Sequence, residues 1–179
     1  MTQSTSKQVK YDKAYLRLAQ TWAKLSQCDR KQVGAIIVKD EVIISDGFNG
    51  TPSGFDNCCE DDEGLTHWYV LHAEANAILK VARSTNNCDG ATLYITHSPC
   101  RDCSKLILQS GIKRVVYKNA YKDPSGINFL SNSGVEMVHI QDIEEELKQK
   151  CFSSNYYFSF YLYWILYIIS DLEPFCGKK

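Results

Sequence analysis

His72 and the pair Cys100 and Cys103 put the hardest constraint on how this chain can fold. One imidazole and two thiols can hold a zinc ion and leave a fourth tetrahedral position open for water. To do so, the stretch His72-Ala73-Glu74-Ala75-Asn76-Ala77-Ile78-Leu79 must fold against Pro99-Cys100-Arg101-Asp102-Cys103. Both stretches read as helix starts. The two cysteines, three positions apart, share one face of a first turn. A helix N-terminus favours negative charge and so favours the thiolates that bind zinc. Glu74 stands beside the imidazole with no cation next to it in sequence. A three-ligand zinc, a water and a free carboxylate are the parts of a hydrolytic site. The carboxylate can take the water proton and return it to a substrate nitrogen. The competing interpretation, buried core thiols and a histidine that merely caps a helix, leaves Glu74 without a purpose. So does a closed structural zinc in a non-catalytic module.

The rest of the chain supplies a frame for these two helices. At 179 residues it is long enough for one domain with its own core. Between Tyr11 and Gln27 the residues Tyr15, Leu18, Ala19, Trp22 and Leu25 recur at helical spacing. Val33 to Val38 and Val42 to Ser45 are short apolar runs rich in β-branched residues, and Lys39-Asp40-Glu41 turns one into the other. Gly47-Phe48-Asn49-Gly50-Thr51-Pro52-Ser53-Gly54 reads as a loop, because three glycines and a proline oppose regular structure. After the helix at His72 to Arg83, strands at 91–96, 114–117 and 135–140 alternate with helices at 100–110, 127–133 and 141–150. An opening hairpin followed by alternating strands and helices predicts an α/β domain, a three-layer α/β/α arrangement around a mixed sheet. The expected division is a disordered N-terminus over 1–10, the domain over 11–150 and a tail over 151–179.

Charge and cysteine usage narrow the setting. A formal net charge of -1 provides no basic field for nucleic acid. Met1 to Lys10 is polar and lacks the apolar core of a secretory signal, which points to the cytoplasm. In that compartment the chain's 8 cysteines are better read as metal ligands and buried thiols than as disulfides. Cys88, Cys151 and Cys176 have no partner pattern and read as free thiols, while His97 and His139 lie on strands and read as structural. From Cys151 to Ser170 there is no charged residue, and Tyr156 to Ile169 is almost wholly aromatic or aliphatic. Its five tyrosines and its serines read as strand or interfacial segment better than as a spanning helix. A tail that packs on this domain or a neighbouring subunit is the first reading, with a membrane-contacting tail and a poorly ordered extension as the alternatives.

These motifs resemble the zinc-dependent cytidine and deoxycytidylate deaminase family, in particular its dCMP-acting branch. The likeness rests on Val33-Gly34-Ala35, the loop Gly47 to Gly54, His72-Ala73-Glu74-Ala75-Asn76-Ala77-Ile78, Ser98-Pro99-Cys100-Arg101-Asp102-Cys103 with Ser104-Lys105-Leu106-Ile107, and Gly111 to Tyr117. It spans about 11–140. The pattern H-x-E with P-C-x-x-C is the general mark of zinc nucleobase deaminases; the glycine-rich loop is what resembles the dCMP branch. The resemblance implies a cytidine-deaminase-like fold with a mixed five-stranded sheet. It implies zinc on His72, Cys100 and Cys103, proton transfer by Glu74, and contacts from Asn49 and Ala73 to the nucleotide. The reaction implied is dCMP plus water to dUMP plus ammonia, the step that supplies the thymidylate precursor. It further implies a homo-oligomer, often a hexamer, and allosteric switching by dCTP and dTTP with magnesium, the glycine-rich loop being the place for an effector triphosphate.

Other substrates remain open on the same motifs. A tRNA adenosine deaminase usually shows PCxMCxGA where this chain has PCRDCSKL, and would want a basic face. A free cytidine deaminase has no need of the glycine-rich loop. For a phosphate, Arg30, Lys31 and Lys122 are the nearest cations in loops flanking the expected site, against the alternative of solvated surface charges. Tyr121 could hydrogen-bond phosphate, stack on the ring, or simply pack. Some phage-type dCMP deaminases carry a structural zinc, and by that resemblance Cys28, Cys58 and His67 stand in its ligand positions, with Cys59 or water completing the set. The alternative is that these thiols are only buried.

Overall fold

Alternation along the central strands decides the architecture. The computed structural model describes residues 6–141. Ala35 and Ile37, Leu93 and Ile95, and Val115 and Tyr117 point to one face, where they form a single core with Ala73, Ala77, Val81, Ile107 and Leu130. The residues between them, Ile36, Tyr94 and Val116, are equally buried and belong to the opposite face. A strand apolar on both sides must be covered on both sides. That is the three-layer arrangement expected.

The elements in chain order are α1 (Ser6–Ala23), β1 (Gly34–Lys39), β2 (Val42–Phe48), α2 (Ala73–Ala82), β3 (Thr92–His97), α3 (Arg101–Gln109), β4 (Arg114–Asn119), α4 (Ser125–Asn132) and β5 (Glu136–His139). They form one five-stranded sheet in the order β2-β1-β3-β4-β5. β1 runs antiparallel to β2 and β3, and β3, β4 and β5 run parallel. The hairpin turn places Asp40 and Glu41 at φ 51° and 62°, the doubly left-handed turn that matches strand twist.

Several boundaries differ from expectation. α1 opens at Ser6, so residues 6–10 are helical. Gln8 donates to Asp12 one turn on and Lys7 lies over the Tyr11 ring; neither contact leaves an apolar period to read. α1 stops at Ala23 because Leu25, apparently in phase, is exposed. β2 continues through Gly47 and Phe48, which were read as loop. Gly47 is a strand residue that lets β2 lie against α2. β4 extends to Asn119. The expected helix at 142–150, the tail and residues 1–5 lie outside the described residues. Among the described residues no helix is long and apolar enough to cross a membrane.

A buried ion pair joins the α1 layer to the sheet. Asp12 on α1 accepts two hydrogen bonds from the Arg114 guanidinium of β4, at 2.8 and 2.7 Å, and one from the Tyr94 hydroxyl of β3 at 2.9 Å. Burial favours the neutral acid, but these bonds and the Arg114 charge outweigh it and hold the Asp12 carboxyl below the usual range.

Candidate active site

Parallel strands leave a crevice beyond their carboxyl ends. β3 ends at His97, and Ser98-Pro99 leads into Cys100 at the start of α3. Cys100 is the residue before the first helical turn, in extended conformation, and His72 holds the same position on α2. Two helix N-termini therefore meet. The Cys100 and Cys103 sulfurs lie 3.5 and 3.4 Å from His72 Nδ1. A tetrahedral zinc with ligands at ~2.0–2.3 Å holds them about 3.6 Å apart, so the donor set and its spacing fit zinc. The three are graded in exposure, His72 outermost and Cys103 buried, which leaves the group open on one side.

The charges in this cluster are shared. Cys100, hydrogen-bonded by the Cys103 thiol and by His72, is held down to about 4, while the same bond and burial push Cys103 up. His72 is raised chiefly by its bond to Cys100. The hydrogen bond shared by the two cysteines favours the charged form at Cys100 and opposes it at Cys103. Glu74, on the first turn of α2, is 4% exposed. Burial pushes its carboxyl up to about 7, against the lowering effect of its own backbone N–H and of His72. A carboxyl poised near neutrality can both take and give a proton.

His72, Glu74 and Cys100 open onto a cavity of about 410 Å³, within the range that holds a small ligand. Every residue expected to meet substrate lies on its wall: Asn49, Ala73, Arg30, Lys31, Tyr121 and Lys122. Asn49 has a task not foreseen. Its Oδ1 accepts the Val33 N–H at 2.7 Å and its Nδ2 donates to the Lys31 carbonyl at 2.8 Å. It clamps the segment that carries Arg30 and Lys31, and retains one N–H and one lone pair for a ligand. Lys31 Nζ sits 5.1 Å from the Tyr121 ring centroid, and the Tyr121 N–H is fixed by Ser98 Oγ at 2.8 Å. Glu60 accepts the Asp29 and Arg30 N–H groups, and Arg30 Nη1 donates to Thr66 Oγ1. His97, read from the sequence as structural, also borders the cavity, as do Ser98, Glu60 and Thr66, to which the sequence reading gave no role in the site. For His97 a signal existed: it closes a parallel strand, where ligands gather.

The second set of donors does not assemble as expected. Cys28 and Cys59 are joined in a disulfide, with Cα atoms 5.1 Å apart. Cys58, the next residue to Cys59, turns outward and lies on the Glu60 carbonyl, and the His67 ring stacks on Tyr69. With the Cys28 and Cys59 sulfurs bonded to each other, neither is a free thiolate for an ion in this structure. Among the described residues His72, Cys100 and Cys103 are the three donors that gather. Cys88 is a buried free thiol, as expected.

A His/Cys/Cys group over a buried glutamate, at the carboxyl edge of this mixed sheet, defines a zinc-type deaminase of the cytidine-deaminase-like fold. The chain belongs to that family: residues 9–119 match the model of the cytidine and deoxycytidylate deaminase zinc-binding region. It is 34% identical over 168 residues to the deoxycytidylate deaminase of Enterobacteria phage T4, covering 70% of this chain and 87% of the relative. To the deoxycytidylate deaminase of Mycobacterium phage D29 it is 40% identical over 121 residues, covering 60% and 93%. Among solved structures it is similar to the dCMP deaminase from the cyanophage S-TIM5 in complex with dCMP and dUMP. The TM-score there is 0.72 at 48% identity, over 73% of this chain and 97% of that one.

Proposed function

We propose that this deaminase converts dCMP and water to dUMP and ammonia, with Glu74 as the proton carrier. One observation carries the substrate choice: the cavity that holds Glu74 and the zinc-fitting group is also bordered by Arg30, Lys31 and Lys122. A nucleobase fits the first end and a phosphate the second. Relatives acting on dCMP support the same reading.

Bound to His72, Cys100 and Cys103, zinc would supply a Lewis acid that lowers the pKa of a water at the open fourth position. The chain's own groups do the rest. A Glu74 carboxylate oxygen takes one proton from the attacking water as it adds to C4 of cytosine and delivers it to ring N3, which keeps it. It then takes the second proton, from the added hydroxyl, and delivers it to the amine, so that the C4–N bond breaks, ammonia leaves and C4 becomes a carbonyl. Ala73, Val33 and Val70 give the cavity an apolar wall for the ring. Arg30, Lys31 and Lys122 hold the phosphate, Asn49 keeps the backbone of the Arg30–Lys31 segment in place and offers its free N–H to the sugar, and Tyr121 presents its ring beside Lys31. Supply of dUMP for thymidylate belongs in the cytoplasm, and the same reading includes a homo-oligomer switched by dCTP and dTTP with magnesium.

Ammonia release tests this directly, comparing dCMP, deoxycytidine and CMP with and without a zinc chelator. Chelator-sensitive turnover of dCMP far above deoxycytidine is the expected result. Equal rates on both would remove the phosphate from the reading. With Cys28 bonded to Cys59, metal analysis should return about one zinc per chain; two per chain would restore the second site.

A further inference from the structure

We infer that His97 sets specificity for the nucleotide's phosphomonoester, donating its Nε2 proton to a phosphate oxygen; this rests on dCMP as the substrate. His97 ends β3 and borders the same cavity as Glu74 and Cys100. Its Nδ1 lies 3.4 Å from Thr96 Oγ1. That hydroxyl also accepts the Gly34 N–H at 3.2 Å, and in the tautomer invoked here it donates its own proton to Nδ1. The Thr96 carbonyl is fixed in turn by Asn119 Nδ2 at 3.1 Å. The ring proton then belongs on Nε2, and a neutral His97 presents a donor rather than an acceptor.

Electrostatics selects what that donor meets. Burial first, and the charge of Lys31 second, disfavour a charged His97 ring. Lys31 is therefore near enough to be felt, and it belongs to the rim with Arg30 and Lys122. A neutral N–H near the Lys31 charge, in a cavity also bordered by Arg30 and Lys122, is suited to an anion, and the ring takes no part in the His72, Cys100 and Cys103 group. Its neutrality also distinguishes it from the lysines: it adds a directed hydrogen bond without adding to their mutual repulsion.

The test uses the full chain and its His97→Ala, His97→Asn and His97→Gln variants. Steady-state kinetics on dCMP and deoxycytidine are paired with calorimetric binding of dUMP and deoxyuridine. For His97→Ala, KM for dCMP and Kd for dUMP should rise about tenfold, with kcat for dCMP and the nucleoside values within twofold of the parent. An amide variant that regains most of the loss would confirm the donor, since a merely structural histidine would not be rescued on the phosphate-bearing ligands alone. Equal losses on nucleotide and nucleoside, or an unchanged dUMP Kd, would overturn the inference. A parent that binds dUMP no better than deoxyuridine would overturn the substrate reading itself, whereas a parent preference left undiminished in His97→Ala sinks only His97.

Discussion

Glu74 is a carboxyl inside a helix turn, almost sealed from solvent and next to an imidazole and a thiol. Burying such a group without employing it costs stability, which is why its chemistry is the first thing to test. Glu74→Gln keeps the shape and one hydrogen-bond acceptor but cannot carry a proton. It should lower kcat by about 10²–10⁴-fold while the zinc content by metal analysis stays at the parent value. Activity within a few-fold of the parent would end the mechanism. Replacing Cys103 should act differently, since a ligand is lost: zinc and activity should fall together. His72, Glu74, Cys100 and Cys103 were legible in the sequence because coordination chemistry demands those residue types and the helical turn sets their spacing. His97 was not, because strand alternation says only that a residue faces one side or the other. The Cys28–Cys59 bond was equally hidden: it spans 31 residues and obeys no spacing rule.

At the scale of elements, the site depends on how closely two helix starts can be pressed into the sheet and its neighbours. A Cβ on Gly47 of β2 would stand 2.3 Å from the Ala73 carbonyl oxygen and 2.7 Å from the Ala77 nitrogen. On Gly126 of α4 it would stand 2.2 Å from the Pro99 carbonyl oxygen, just before Cys100. Neither obstacle is a side chain that can swing away. Gly47→Ala should therefore cost about 1–3 kcal/mol in thermal denaturation and speed zinc loss to a chromophoric chelator. Gly50→Ala is the control: nothing lies within 4 Å of its Cβ position, and stability should move by no more than about 0.5 kcal/mol. Equal effects at both positions would refute the packing account. The glycine-rich stretch shows why its reading as loop was half right: glycine relaxes a turn and also permits close approach, and only the fold separates the two uses. The strand and helix order itself was legible, since period two and period 3.6 differ plainly over these lengths.

For the molecule as a whole, the α1 layer is held by apolar packing and by Asp12 against Arg114. A carboxyl whose folded-state pKa is lowered contributes stability that is fully present above its unfolded value, near 3.9, and lost as pH falls through the folded value. The parent should therefore lose stability steeply below about pH 4, and Asp12→Asn should flatten that loss. At neutral pH the variant should be less stable by about 3 kcal/mol, the low end for breaking a buried pair, because Glu136 remains 3.3 Å from Arg114 Nε. Melting temperatures against pH for both proteins decide the matter; parallel curves would show that the pair carries no linkage.

That same pair joins positions 102 residues apart, with every strand of the sheet except β5 lying between or at them. Closing so long a span is entropically slow, whereas β3 to β5 assemble from neighbours in the chain. That separation predicts that the joint forms late in folding, after the barrier. Breaking it should leave the refolding rate nearly unchanged and let the native state open faster, so Asp12 governs how long the enzyme lasts rather than how quickly it forms.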